Sequence, residues 1–188
     1  MRNKKKNIIY EDVEIIDTTS KGKSVGKTDD GKIIFIEKGV PGDIVNVSVF
    51  KKRKDFLEGK IEKLIFPSPN RIEQECEYFG LCGGCKWQNM DYTSQLFYKQ
   101  KEVFENIKRI GKIDLIKPEP ILGSSKKYFY RNKMEFSFSN RRWLSSEEIN
   151  NTENTLNKNG LGFHKPGMWD KFIDIEKCYL QEDPSNEI

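Results

Sequence analysis

A chain of 188 residues is long enough for one full domain, or for a small domain joined to part of a larger one, and two units are expected. Charged residues make up 33% and hydrophobic residues 36%, yet 12 Phe, 7 Tyr and 3 Trp supply the bulk of a core, which excludes a disordered tail. No apolar run approaches the roughly 20 residues that cross a bilayer, and the basic start MRNKKKNIIYED lacks a signal peptide's apolar stretch, so a cytoplasmic protein without membrane association is expected.

The first third reads as short strands. Residues 8–17, 24–28, 32–37, 43–51 and 56–65 are β-branched or alternating runs. Turn chemistry separates them: Asp30-Gly31 suits a tight hairpin, Pro41 presets φ, and Gly42 permits a positive one. Five strands without a helical period predict a mainly β fold that opens with an OB-like five-stranded β-barrel. This stretch also holds the charge excess. Residues 1–66 carry 15 Lys+Arg against 11 Asp+Glu, whereas 67–188 carry 18 against 18. A basic module suggests a polyanion partner, with a merely solvated basic face as the plainer alternative.

Pro67 and Pro69 disfavour further pairing and put a domain boundary near residue 68, giving units of 7–67 and 68–188. The second opens with CEYFGLCGGCKWQ. One long helix follows in DYTSQLFYKQKEVFENIKRIG, with apolar residues at 96, 97, 103, 104, 107 and 110, Asp91 as N-cap and Gly111 as the stop. YFYRNKMEFSFSN then alternates Met134, Phe136 and Phe138 against Glu135, Ser137 and Ser139, as a half-buried strand does. Residues 140–160 are Asn-rich and polar, and read as a mobile excursion. GLGFHKPGMWDKFIDIEKC predicts two strands around a Lys165-Pro166-Gly167 turn, ending at Cys178. The second unit is therefore a small α+β domain.

Four cysteines in a reducing compartment point to metal or redox chemistry before disulfides. Cys82 and Cys85 form a Cys-x2-Cys pair, Cys76 lies just upstream, and Cys178 stands far off. Gly83 and Gly84 remove the β-carbons that would crowd a bound centre and leave backbone N–H groups for its sulfurs. Paired knuckles are the usual zinc pattern, so three clustered cysteines and a remote one lean toward iron–sulfur usage; zinc and unligated thiols remain open on spacing alone.

These residues resemble the bacterial RNA (uracil-5-)-methyltransferases, the TrmA-like family. Residues 7–67 resemble its TRAM domain, CEYFGLCGGCKWQ its cluster loop, and YRNKMEFSF with GLGFHKPGMWDKFIDIEKC its central β domain. The cysteine order is the specific part of the likeness. The resemblance implies that Cys76, Cys82, Cys85 and Cys178 hold a 4Fe–4S cluster, which purification in air strips or exchanges for zinc. It implies an RNA partner, 23S rRNA, with S-adenosylmethionine as methyl donor. In that chemistry a cysteine adds to C6 of uracil, which turns C5 into an enolate carbon able to take the methyl group.

With all four cysteines assigned, no nucleophile is left here. GLGFHKPG has Lys165 where a G-x-G-x-x-G loop needs its last glycine. The nucleophile, the base and the donor site are thus expected in a missing C-terminal part, and the chain alone is expected to be inactive. Its own share would be RNA recognition by a monomer. Lys51, Lys52, Arg53 and Lys54 would neutralise phosphates, and Arg131 and Lys133, beside Tyr128 and Tyr130 as stacking platforms, would meet an unpaired base. His164 reads as a structural loop residue, and Trp87, Trp143 and Trp169 as core or cluster shielding. Two other classes compete: a stand-alone zinc-stapled RNA-binding module, and a ferredoxin-like electron carrier, which the basic barrel disfavours.

Overall fold

A computed structural model describes residues 8–115, 118–150 and 157–187. The first five strands are β1 (Ile8–Thr18), β2 (Ser24–Lys27), β3 (Ile33–Glu37), β4 (Ile44–Lys52) and β5 (Phe56–Phe66). They close into a barrel in the order β1-β2-β3-β5-β4, antiparallel except for the β3–β5 pair. Strand period explains the core. Val13 and Ile15, Ile34 and Ile36, and Val45, Val47 and Val49 point inward with Leu57, each fully buried aliphatic contributing about 1.5–3 kcal/mol. Gly31 and Gly42 take φ of 80° and 95°, as their turns require. β1 shifts register between Tyr10 and Val13, the kind of bulge that bends a strand round a small barrel.

The barrel's exit is fastened by a buried charge. Asp43 is fully buried and accepts hydrogen bonds from the Val40 N–H (2.7 Å), the Ser68 N–H (2.9 Å) and the Arg71 guanidinium (Nε 3.0 Å, Nη2 2.5 Å). The chain therefore stays on the barrel for several residues past Pro67. By their contacts, residues up to Glu73 and Asn89–Gly123 form one compact unit, and Gln74–Gln88 with the residues from Ser124 onward form the other.

This division differs from a single break at residue 68. The long helix, α1 (Tyr92–Arg109), groups with the barrel. The Asn89 side chain donates to the Lys38 carbonyl (2.8 Å), and Lys101 pairs with Asp17 of β1 (2.7 Å). Asp91 caps the helix as expected, its Oδ1 accepting from the Ser94 N–H at 3.0 Å. The apolar face is only partly covered. No helical residue is fully buried, and Phe97, Val103 and Ile110 are mostly exposed.

In the second unit, β6 (Ser137–Ser139), β7 (Gly160–Lys165) and β8 (Met168–Asp174) form an antiparallel sheet in that order. The strand expected from Tyr128 onward is reduced to β6. Phe129 adopts a left-handed φ of 53°, which interrupts the extended backbone there, and residues 129–136 form no regular strand. Phe138 faces solvent while Met134 and Phe136 are half-buried. Within the polar excursion lies a short helix, α2 (Ser146–Asn150). Ser145 and Glu148 cap it reciprocally: the Ser145 Oγ accepts from the Glu148 N–H (3.1 Å) and Glu148 Oε2 accepts from the Ser145 N–H (2.8 Å). Residues 151–156 of the excursion lie outside the described residues.

Candidate metal centre

All four cysteines belong to the second unit, although 92 residues separate Cys85 from Cys178. The first three sit on a tight loop. Its backbone folds back at Cys76–Phe79 and Tyr78–Cys82 (N–H to carbonyl, 3.0 and 2.9 Å), with Gly80 at φ 88°. Two contacts dock this loop on the sheet. A β-carbon at Gly83 would stand 3.0 Å from Pro166 Cγ in the β7–β8 turn, so only glycine allows this approach without displacing the proline. The Tyr78 hydroxyl accepts from the Glu176 N–H at 3.2 Å, joining the loop to the segment that delivers Cys178.

Cys178 is itself fixed from behind. Its N–H donates to Asn186 Oδ1 at 2.7 Å, and the Asn186 amide reaches back to the carbonyls of Cys178 and Gln181. The strained Phe129 also contributes here: its N–H donates to the Tyr179 carbonyl and the Arg131 N–H to the Leu180 carbonyl, both at 2.8 Å. A left-handed phenylalanine costs about 1–3 kcal/mol.

The result is one cavity of about 430 Å³ whose wall includes Cys76, Cys82, Cys85 and Cys178. None of the four is in a disulfide. Backbone and amide donors face the sulfurs, from the Gly84 N–H to Cys82 Sγ (3.3 Å) and from Gln88 Nε2 to Cys85 Sγ (3.2 Å). Burial pushes the thiols of Cys76, Cys82 and Cys85 up, the backbone N–H groups of Tyr78 and Gly84 and the Gln88 amide pull them back in that order, and negative charge on the neighbouring cysteines pushes them up again. Ionising these three together is costly, and a cationic centre beside them would remove that cost. Among the described residues no three His, Cys, Asp or Glu side chains are placed to hold a single metal ion.

Arg131 and Lys133 line the same cavity, Lys133 in an ion pair with Glu135 at 2.8 Å. Tyr130 is exposed, and Tyr128 is half-buried with its ring edge-to-face against Tyr179. His164 lies on β7, not in a loop, with Nδ1 2.7 Å from the Trp169 carbonyl and its ring against Phe172. Trp169 is largely exposed and shields neither core nor cavity, whereas half-buried Trp143 stacks under the Lys165 ammonium at 4.2 Å. On the barrel, Lys51 and Lys23 both pair with Glu58, whose carboxyl the two ammonium groups hold down at about 2. Lys52, Arg53 and Lys54 are exposed at the β4–β5 turn. Sequence reading missed Gln88, Asn186 and Tyr78, whose partners are fixed only in three dimensions.

The barrel order and its short strands now have a counterpart among known families. Residues 9–61 match the TRAM domain. Beyond the TRAM barrel the likeness continues through the cysteine-bearing unit. An uncharacterized RNA methyltransferase of Bacteroides thetaiotaomicron is 46% identical over 169 residues, which is 90% of this chain and 37% of that protein. Those of Porphyromonas gingivalis and Chlorobaculum tepidum are 41% and 37% identical, over 94% and 100% of this chain. The chain thus spans well under half the length of these curated relatives. In fold it is similar to the crystal structure of Pyrococcus abyssi tRNA (uracil-54, C5)-methyltransferase in complex with S-adenosyl-L-homocysteine, with a TM-score of 0.52 and 22% identity over 93% of this chain and 34% of that one. Among the described residues no helix is long and apolar enough to cross a membrane.

Proposed function

We propose that these residues are the RNA-recognition and iron–sulfur portion of an RNA (uracil-5-)-methyltransferase that uses S-adenosylmethionine. The observation that carries this reading is the convergence of four cysteines, spread from residue 76 to residue 178, on one cavity. In a 4Fe–4S cubane each iron takes one thiolate, so four sulfurs spaced around a cavity suit it, whereas tetrahedral zinc draws all four to one ion. Cys76, Cys82, Cys85 and Cys178 would hold the cluster. It would supply a cationic centre that cross-links the loop to the end of the sheet, and any stability of that centre is stability of the fold.

The chain's own residues would bind and orient RNA. Lys52, Arg53 and Lys54 at the TRAM barrel's turn would neutralise phosphates, with Lys51 contributing less because Glu58 already holds it. Arg131 and Lys133 at the cavity rim, with exposed Tyr130 near by in sequence, would meet an unstacked base. The methyl donor and the nucleophile would be held by residues other than these 188, which by themselves would bind RNA without methylating it. A 23S rRNA target in the cytoplasm, met by a monomer, completes the proposal.

The test is anaerobic expression and reconstitution with iron and sulfide, followed by metal and sulfide analysis and RNA binding at several salt concentrations. Brown protein with about four irons per chain, absorbing near ~400 nm, and salt-sensitive RNA binding are expected. Colourless protein holding one tightly bound zinc would replace the cluster with the zinc-stapled module.

A further inference from the structure

Gln88 makes two hydrogen bonds of opposite sense within the cysteine loop. Its Oε1 accepts from the Cys76 N–H at 3.3 Å, and its Nε2 donates to Cys85 Sγ at 3.2 Å. The orientation of the amide follows from chemistry. A backbone N–H can only donate, so the oxygen must face Cys76, which turns the NH2 group onto the sulfur. One half-buried side chain therefore ties the first cysteine of the loop to the third and leaves a donor on a ligand sulfur.

We infer that Gln88 is a positioning residue for the metal centre, whose amide N–H stabilises negative charge on Cys85 Sγ and so raises the centre's reduction potential and slows its loss. This rests on the cluster reading above. An N–H aimed at a ligand sulfur favours the more negative, reduced state, and such outer partners typically hold about 10–100-fold of metal affinity. The Gly84 N–H plays the corresponding part at Cys82, but as backbone it cannot be substituted away.

Two variants separate the donor from the tie. Gln88→Glu keeps an oxygen for the Cys76 N–H but turns a second oxygen on the sulfur. Gln88→Lys keeps a donor for the sulfur and abandons Cys76. If the donor matters, the reconstituted Gln88→Glu centre has a lower midpoint potential and loses iron to a chelator about tenfold faster than the parent, while Gln88→Lys keeps or raises the potential. A purely structural role for the Cys76 tie predicts the reverse ranking, with Gln88→Lys the weaker of the two. The inference is overturned if Gln88→Glu matches the parent in potential and chelator lifetime, or if Gln88→Lys has the lower potential; either variant alone decides should the other not fold. Parent protein that takes up no iron and sulfide overturns the cluster reading as well, whereas a loaded parent with an indifferent Gln88 overturns only this inference.

Discussion

Asp43 fastens the barrel's exit, and its replacement by alanine has a calculable effect. The carboxylate has no exposed surface and satisfies two backbone N–H groups and one guanidinium. Asp43→Ala strands the Val40 and Ser68 N–H groups in the interior and leaves Arg71, itself only 20% exposed, without its counter-charge. Breaking one side of a buried, hydrogen-bonded pair costs about 3–5 kcal/mol, a large part of a stability of roughly 5–15 kcal/mol. With a urea slope of about 1–2 kcal/mol per molar, the barrel's midpoint should fall by about 2 M or more. The isosteric Asp43→Asn should lose about half as much, because one of its two positions becomes a donor facing donors. All three tryptophans lie in the second unit, so barrel unfolding must be followed by far-UV circular dichroism and not by tryptophan fluorescence. An Asp43→Ala midpoint within about 0.5 M of the parent would refute the argument that this carboxylate fastens the barrel's exit.

Further outcomes follow from other sites. Glu58 ionises at about 2 in the folded barrel against an ordinary 4.5, so its stabilising effect is fully present above about pH 4.5 and vanishes as pH falls toward 2. Lys23 and Lys51 are 32% and 43% exposed, which screens the pair to about 1 kcal/mol; the stability gap between parent and Glu58→Gln should therefore shrink on acidification, and a pH-independent gap would contradict it. RNA binding by the triple variant Lys52→Ala/Arg53→Ala/Lys54→Ala should lose about 0.7 of log–log salt slope per phosphate contact removed, whereas Lys51→Ala changes it little; filter binding at several salt concentrations reads both. Tyr78→Phe removes the hydroxyl that accepts from Glu176 and should lower the midpoint of the tryptophan-monitored transition by about 1 kcal/mol equivalent. Cys178→Ser should yield protein with less than half the parent's iron after identical reconstitution, and undiminished iron would remove Cys178 from the ligand set.

Some of this molecule was legible residue by residue. The five barrel strands fall within one residue of their predicted ends, because alternation of Val and Ile with polar residues is a local signal and Gly31 and Gly42 mark turns that demand positive φ. Asp91 announced its helix in the same way. The capping pair Ser145 and Glu148 was equally local and was hidden only by the surrounding Asn-rich composition. Other features had no local trace. That α1 sides with the barrel is decided by Lys101 meeting Asp17 and Asn89 meeting Lys38, partners 84 and 51 residues away.

The sequence by itself determined which residue types are offered for chemistry: four thiols, two glycines between Cys82 and Cys85, and a basic turn at the end of β4. Tertiary structure alone decided that the thiols face one cavity, that Gln88 and the Gly84 N–H reach their sulfurs, that Lys51 is engaged by Glu58, and that Phe138 and Trp169 lie open to solvent. The physical reason is range. Strand, turn and cap preferences are settled by neighbours a few positions away, but hydrogen bonds and ion pairs between distant segments exist only once a sheet and a proline turn have carried them into reach.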